Sequence, residues 1–331
     1  MRLRNFITGY RRVYPGGKIE MKYAVGIDVG GTSVKLGLVN TGGQIMEAWE
    51  IPTRTEDGGK NILPDIADSV KNKIEEMNLA DDIVGAGIGL PGPVDDEGVI
   101  RKAVNLHWER TFNVEEELSG LLGGMRVKAG NDANVAALGE YWQGAGKDYG
   151  DMVMVTLGTG IGGGIIHHGR IYAGTTGAGG EIGHICLNPD EKIRCNCGNA
   201  GCFEQYASAT GIVRLTREEL EASSEGSELR NTEVTAKALW DAVRNGDKLA
   251  IRVAERFGYY LGWGLSIIAG VVNPEVFVLG GGVSKAGGII LPYIRKNFDA
   301  HAFHACRDAQ IVIATLGNSA GTLGAAKMVI D

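Results

Sequence analysis

Two stretches of this chain follow one plan. Tyr23-Ala-Val-Gly-Ile27 reads as a buried strand, Asp28-Val-Gly30-Gly31-Thr32-Ser-Val-Lys35 as a turn, and Leu36-Gly-Leu-Val39 as the returning strand. In the other half, Met152-Val-Met-Val-Thr-Leu157 is followed by Gly158-Thr159-Gly160-Ile-Gly162-Gly163 and then by Gly164-Ile-Ile166. Apolar runs around a glycine turn make hairpins, and a similar hairpin in each half predicts a duplicated domain plan. Ile62, Ile66, Val70 and Ile74 keep helical spacing, as do Phe257, Leu261, Leu265, Ile268 and Val272. A strand between Ile83 and Leu90 ends at Pro91-Gly-Pro93, and Val276-Phe-Val-Leu279 enters Gly280-Gly-Gly282-Val-Ser284. Strands and helices therefore alternate, with glycine-rich exits, as in an α/β protein.

The chain has 331 residues, beyond the size at which one core keeps growing, so two domains are expected. A hydrophobic content of 44% supplies ample core. The net charge of −7 offers no general attraction to phosphate backbones or anionic lipid, which argues against nucleic acid and membrane partners. With no apolar run of transmembrane length and no secretory h-region, the cytoplasm is the expected location. Residues 1–20 are basic and without period, and read as a disordered extension with Met21 as the natural start. The 52 glycines gather at turns, suggesting several close approaches of backbone to ligand.

Metal chemistry is written between Glu181 and Glu204. His184 is followed by Cys195-Asn-Cys197-Gly-Asn-Ala-Gly-Cys202. One imidazole and three thiolates are the donor set of a closed, tetrahedral structural Zn²⁺ site. Short cysteine spacings in an intracellular protein point to metal more than to disulfides. The isolated Cys186 and Cys306 are expected to be buried.

The two glycine turns can cradle phosphates with backbone N–H groups, and Asp28 at a strand end can help position hydrated Mg²⁺. Gly158, Gly160 and Gly163 formally fit the dinucleotide fingerprint, but the chain continues as a strand where that motif must open a helix, so nicotinamide binding is rejected. Asn131-Asp132-Ala-Asn134 lies between a strand-like Met125-Arg-Val-Lys-Ala129 and a helical Val135-Ala-Ala-Leu-Gly-Glu-Tyr-Trp142. Its residues suit an N-cap, and a carboxylate there is kept ionised, as a general base needs. His107, His167, His168, His301 and His304 have no ligand partners nearby in sequence and read as surface or packing residues.

Taken together, these segments resemble the ROK family of sugar kinases and repressors, within the actin-like and hexokinase-like ATPases. The resemblance rests on Asp28-Val-Gly-Gly-Thr-Ser-Val-Lys35, Asn105-Leu-His-Trp108, Asn131-Asp-Ala-Asn134, Leu157 to Gly164, Gly180-Glu-Ile-Gly-His184, the Cys195–Glu204 segment and Leu279-Gly-Gly-Gly-Val-Ser284. Within the family the chain looks most like bacterial members that phosphorylate glucose. The resemblance implies a two-domain ribonuclease-H-like fold with an interdomain cleft. Residues 21–132 with 316–331 would form the smaller domain, and 133–315 the larger one with the zinc loop. It implies Asp132 as the base at the sugar 6-hydroxyl, with Asn105, Asn131, Glu181, His184 and Glu204 binding the sugar. It assigns Gly30, Gly31, Thr32, Thr159 and Gly160 to phosphates, Lys35 to the first loop, and Gly281 and Gly282 to the adenosine end. ATP, Mg²⁺ and structural Zn²⁺ are the expected cofactors, glucose the substrate, and a homodimer or higher homo-oligomer the assembly. Ser33 departs from the family pattern, where a basic residue is common. The alternatives are an N-acetylmannosamine or N-acetylglucosamine kinase and, from another class, a sugar-sensing repressor. The repressor needs a helix-turn-helix for which residues 1–20 are too short.

Overall fold

The computed structural model describes residues 21–330, so the expected extension over residues 1–20 lies outside the described residues. The duplicated plan is present. In the first half, β1 (Tyr23–Val29), β2 (Ser33–Asn40), β3 (Ile45–Pro52) and β4 (Ile83–Leu90) form a sheet that skips the short ribbon of β5 (Val99–Ile100) and β6 (Phe112–Asn113) and closes with β7 (Val127–Asn131). Its order is β3-β2-β1-β4-β7, with β1 antiparallel to β2 and parallel to β4. In the second half β8 (Met152–Leu157), β9 (Ile161–His167), β10 (Arg170–Ile171), β11 (Val276–Gly280) and β12 (Gln310–Ile313) take the order β10-β9-β8-β11-β12. There β8 is antiparallel to β9 and parallel to β11. One topology is thus built twice.

The helical spacings are borne out by the helices Ile62–Glu76 and Lys248–Val272. The first buries Ile62, Ile66 and Val70 in a core with Ile27, Leu36 and Ile88; the second buries Phe257, Leu261 and Leu265 in a core with Phe203, Trp240 and Phe277. The strand expected over residues 125–129 lies two residues later, at Val127–Asn131, and the following helix begins at Asp132 itself and runs to Gln143.

Several glycines also serve packing, a role the sequence reading did not assign them. A Cβ on Gly26 of β1 or Gly87 of β4 would lie 1.9 Å from the carbonyl of Thr322 or 1.8 Å from that of Ala325. The helix Ala320–Lys327 therefore sits directly on the first sheet. On β9, a Cβ on Gly164 would lie 2.5 Å from that of Ala137, so the helix Asp132–Gln143 sits as closely on the second sheet. The two helices also meet through glycine, Gly139 against Ala320 and Gly324 against Val135. Side chains larger than hydrogen at these points would force the sheets apart and widen whatever lies between them.

Candidate active site

Asp132 stands at the junction of the two halves because β7 ends there and a helix begins. Asn131 caps that helix, its Oδ1 accepting from the N–H groups of Ala133 (3.0 Å) and Asn134 (3.2 Å), while its Nδ2 donates to the carbonyl of Gly92 (3.2 Å). Asp132 Oδ1 accepts from Ala133 N–H at 2.8 Å. The expectation that the helix N-terminus keeps this carboxylate ionised is corrected: burial pushes the Asp132 carboxyl up to about 6 against the pull of that N–H, and the nearby carboxylates of Asp28 and Glu181 add to the rise. A group poised there can take a proton near neutrality. Asp28 is also raised by burial, with the Lys35 ammonium on the facing strand pulling the other way. Its carboxylate packs on Gly321, where a Cβ would come within 2.5 Å.

A cleft of about 600 Å³ extends from Asp28, Lys35 and Asp132 past Thr156 and Gly162 to Gly280, Gly281, Gly282 and Ser284. Gly281 has φ +83°, and a Cβ there would lie 2.5 Å from the carbonyl of Leu157, so only glycine lets the β11 exit approach the β8 end. Gly30, Gly31 and Thr32 form the β1–β2 turn between the cleft residues Asp28 and Lys35; neither they nor Thr159 and Gly160 line the cleft themselves. That turn is held by Gly30 N–H to Ser33 O (2.9 Å) and by the Thr53 hydroxyl donating to Gly30 O (2.7 Å). Thr159 and Gly160 form the matching β8–β9 turn, which Thr210 fixes by donating to Thr159 O at 2.7 Å. Asn105 is exposed on a 3₁₀ turn, its carbonyl facing Gly31, and is not among the residues lining the cleft.

Glu181, His184 and Glu204 are brought together as expected. His184 Nε2 lies 3.9 Å from Glu181 Oε2, and His184 Nδ1 lies 3.9 Å from Glu204 Oε1. Glu204 Oε2 accepts from Ile161 N–H at 3.3 Å, which ties it to the β8–β9 turn. At the Nδ1 edge of the imidazole, beside Glu204, lie the thiols: the donor atoms of His184, Cys195, Cys197 and Cys202 are all within 4.8 Å of one another. Cys195 Sγ is 3.8 Å from His184 Nδ1 and donates to Glu204 Oε1 at 2.9 Å, and Cys197 Sγ is 3.6 Å from Cys202 Sγ. Burial, with the neighbouring thiols, pushes Cys202 up to about 12, so a cluster this dense gains strongly from a cation that favours thiolate. The donor set and spacing fit Zn²⁺. Cys186 corrects the expectation of burial: it is exposed, although its backbone bridges the buried Cys202, whereas Cys306 is buried as expected.

Two residues have a positioning role that sequence did not show: Glu140 was not singled out, and Asn134 was read only as part of the capping motif. Glu140 is fully buried, and its carboxylate accepts from the N–H groups of Ala145 (2.9 Å), Thr315 (3.0 Å) and Leu316 (2.7 Å), clamping the segment that leads into Ala320–Lys327. A lone charge in the apolar stretch after Asn134 was the available signal. Asn134, also buried, donates to the carbonyl of Gly179 at 3.4 Å and so links the first turn of the Asp132 helix to the loop bearing Glu181.

Two sheets of one topology, joined by a helix pair and with a poised carboxylate beside a glycine-lined cleft, define the fold of actin-like and hexokinase-like ATPases. The chain belongs to the ROK family, which it matches over residues 24–331. It is 42% identical over 311 residues to a glucokinase of Halalkalibacterium halodurans, covering 92% of this chain and 93% of that protein. Among solved structures it is similar to a ROK family glucokinase of Streptomyces griseus in complex with glucose and AMPPNP (33% identity, TM-score 0.71, 92% of this chain and 98% of that one). It is also similar to a ROK hexokinase of Thermus thermophilus (31% identity, TM-score 0.77, 92% and 96%).

Proposed function

We propose that the protein transfers the γ-phosphoryl group of ATP to the 6-hydroxyl of glucose. The observation that carries this reading is the position of Asp132, its carboxyl raised to about 6, between a glycine-lined cleft and the Glu181–His184–Glu204 cluster. The cleft accepts the nucleotide, with Gly281 and Gly282 toward the adenosine and the turns at Gly30–Thr32 and Thr159–Gly160 toward the phosphates. The cluster, with Asn105 and Asn131, pairs the sugar hydroxyls through amides, carboxylates and an imidazole. Asp132 orients the 6-hydroxyl and takes its proton. The O6–P bond forms as the bond from Pγ to the β,γ-bridging oxygen breaks, and ADP departs with that oxygen. Such transfer is catalysed largely by positioning and charge neutralisation. Mg²⁺, held with the help of Asp28, would supply charge neutralisation at the phosphates. His184, Cys195, Cys197 and Cys202 would hold a structural Zn²⁺ and through it would fix the loop presenting Glu181 and Glu204. His184 serves both sites, with Nδ1 toward the thiols and Nε2 toward Glu181 and the sugar. In this reading residues 21–132 with 316–331 form one domain and 133–315 the other.

Glu181, His184 and Glu204 pair small hydroxyls, and an acetamido group at carbon 2 would leave a polar group that the bound sugar covers unpaired, at about 1–3 kcal/mol. Measured as kcat/KM under one set of conditions, glucose is expected to exceed N-acetylglucosamine and N-acetylmannosamine by at least about tenfold. An acetamido sugar ranking first would replace glucose as substrate while leaving the kinase chemistry in place.

A further inference from the structure

A second group of metal-type ligands lies among the histidines that the sequence pattern left as surface residues. His167 ends β9 and pairs with Arg170 of β10, so His168 and Gly169 form the two-residue turn between them. Both turn residues are left-handed, with φ +49° and +78°, as this hairpin loop requires. Asp151 immediately precedes β8, and the antiparallel β8–β9 register, Met152 opposite Ile166, carries it alongside. Its Oδ1 lies 2.9 Å from His167 Nδ1 and 3.7 Å from His168 Nδ1. The same oxygen accepts a 2.8 Å bond from the His168 backbone N–H.

We propose that Asp151, His167 and His168 form a second metal site, for a divalent transition-metal cation such as Zn²⁺ or Ni²⁺. Two imidazoles with one carboxylate suit these cations, and three protein ligands leave a position for water. Ligands about 2.0–2.2 Å from a tetrahedral centre lie roughly 3.4 Å apart. The two measured separations, 2.9 and 3.7 Å, straddle that value, and the three donor atoms fall within 4.8 Å of one another. The His168 N–H fixes the carboxylate oxygen, the kind of outer contact that orients a ligand. The imidazoles are exposed, at 61% and 78%, so a cation can enter without opening the fold. Once bound it staples the start of β8 to the β9–β10 hairpin, and shares no residue with the cysteine cluster.

The test is calorimetric titration of the tag-free full chain, its cysteine cluster kept zinc-loaded, with Ni²⁺ alone. Wild type is expected to bind one equivalent more than the His167→Gln, His168→Asn double variant. Asn tolerates the left-handed turn, so that variant keeps its fold and its glucose phosphorylation. Asp151→Asn should weaken the extra site by at least about tenfold. Ni²⁺ should also raise the melting temperature of the wild type and not of the double variant. Equal stoichiometry and affinity in wild type and double variant, or undiminished affinity in Asp151→Asn, would overturn the site.

Discussion

Asp132 is where the residue chemistry is most exposed to test. Its carboxyl holds a proton up to about 6 because burial and the carboxylates of Asp28 and Glu181 disfavour the charge. The acid limb of kcat/KM, which reports the free enzyme, is therefore expected near pH 6. The same shift has a sign for stability. A carboxyl whose pKa is raised on folding contributes stability that is fully present below its ordinary 3.8 and lost as pH rises through about 6. Asp132→Asn keeps the shape and the bond from Ala133 N–H but removes the charge. At pH 7 the variant should be more stable than wild type by roughly 1–3 kcal/mol, with the two converging below the ordinary carboxyl pKa. Its kcat should fall by roughly 10²–10⁴-fold. Full turnover would assign the base elsewhere, and lower stability at pH 7 would make Asp132 a structural residue.

At the scale of elements, the cysteine loop and the buried helix pair make separable predictions. Cys197 is the exposed member of its cluster, so Cys197→Ser removes a proposed metal ligand without opening a core. Metal analysis should find about one Zn²⁺ per wild-type chain at this cluster and less in the variant. The KM for sugar should rise more than the KM for ATP, because Glu204 and Glu181 sit on that loop and the glycine cleft does not. A zinc-free preparation with an unchanged sugar KM would separate the metal from the site. Gly87→Ala acts elsewhere: its Cβ would lie 1.8 Å from the carbonyl of Ala325, and backbone on both sides cannot turn aside. A loss of about 1–3 kcal/mol is expected in denaturant unfolding. This contact also marks the limit of legibility. Alternation of apolar runs gave the strands and helices, and local spacing gave the Cys195–Cys202 cluster and the Asn131–Asp132 cap. Glycines that seat a helix look like turn glycines in a sequence. Glu140 reaching Thr315, or Asp151 reaching His167, joins residues that only the topology brings together.

The whole molecule places its reacting groups on parts that belong to different sheets. Asp132 follows β7 of the first sheet and begins a helix lying on β9 of the second, while Gly281 and Gly282 follow β11. The helices Asp132–Gln143 and Ala320–Lys327 cross between the sheets and touch through glycine, with Glu140 fixing the chain that enters the latter. Motion of one half about this helix pair would change the width of the cleft while leaving each sheet intact. Phosphoryl transfer to a sugar rather than to water requires such narrowing, because an open cleft would let water compete for the γ-phosphoryl group. Small-angle scattering should therefore show a smaller radius of gyration with glucose and a non-hydrolysable ATP analogue together than with either alone. ATP turnover without sugar should be slower than glucose phosphorylation by at least about 10²-fold, the advantage that positioning of the 6-hydroxyl over water confers. Equal rates of hydrolysis and transfer, with no compaction by the paired ligands, would mean that the cleft works open and that Asp132 selects the hydroxyl without help from the rest of the fold.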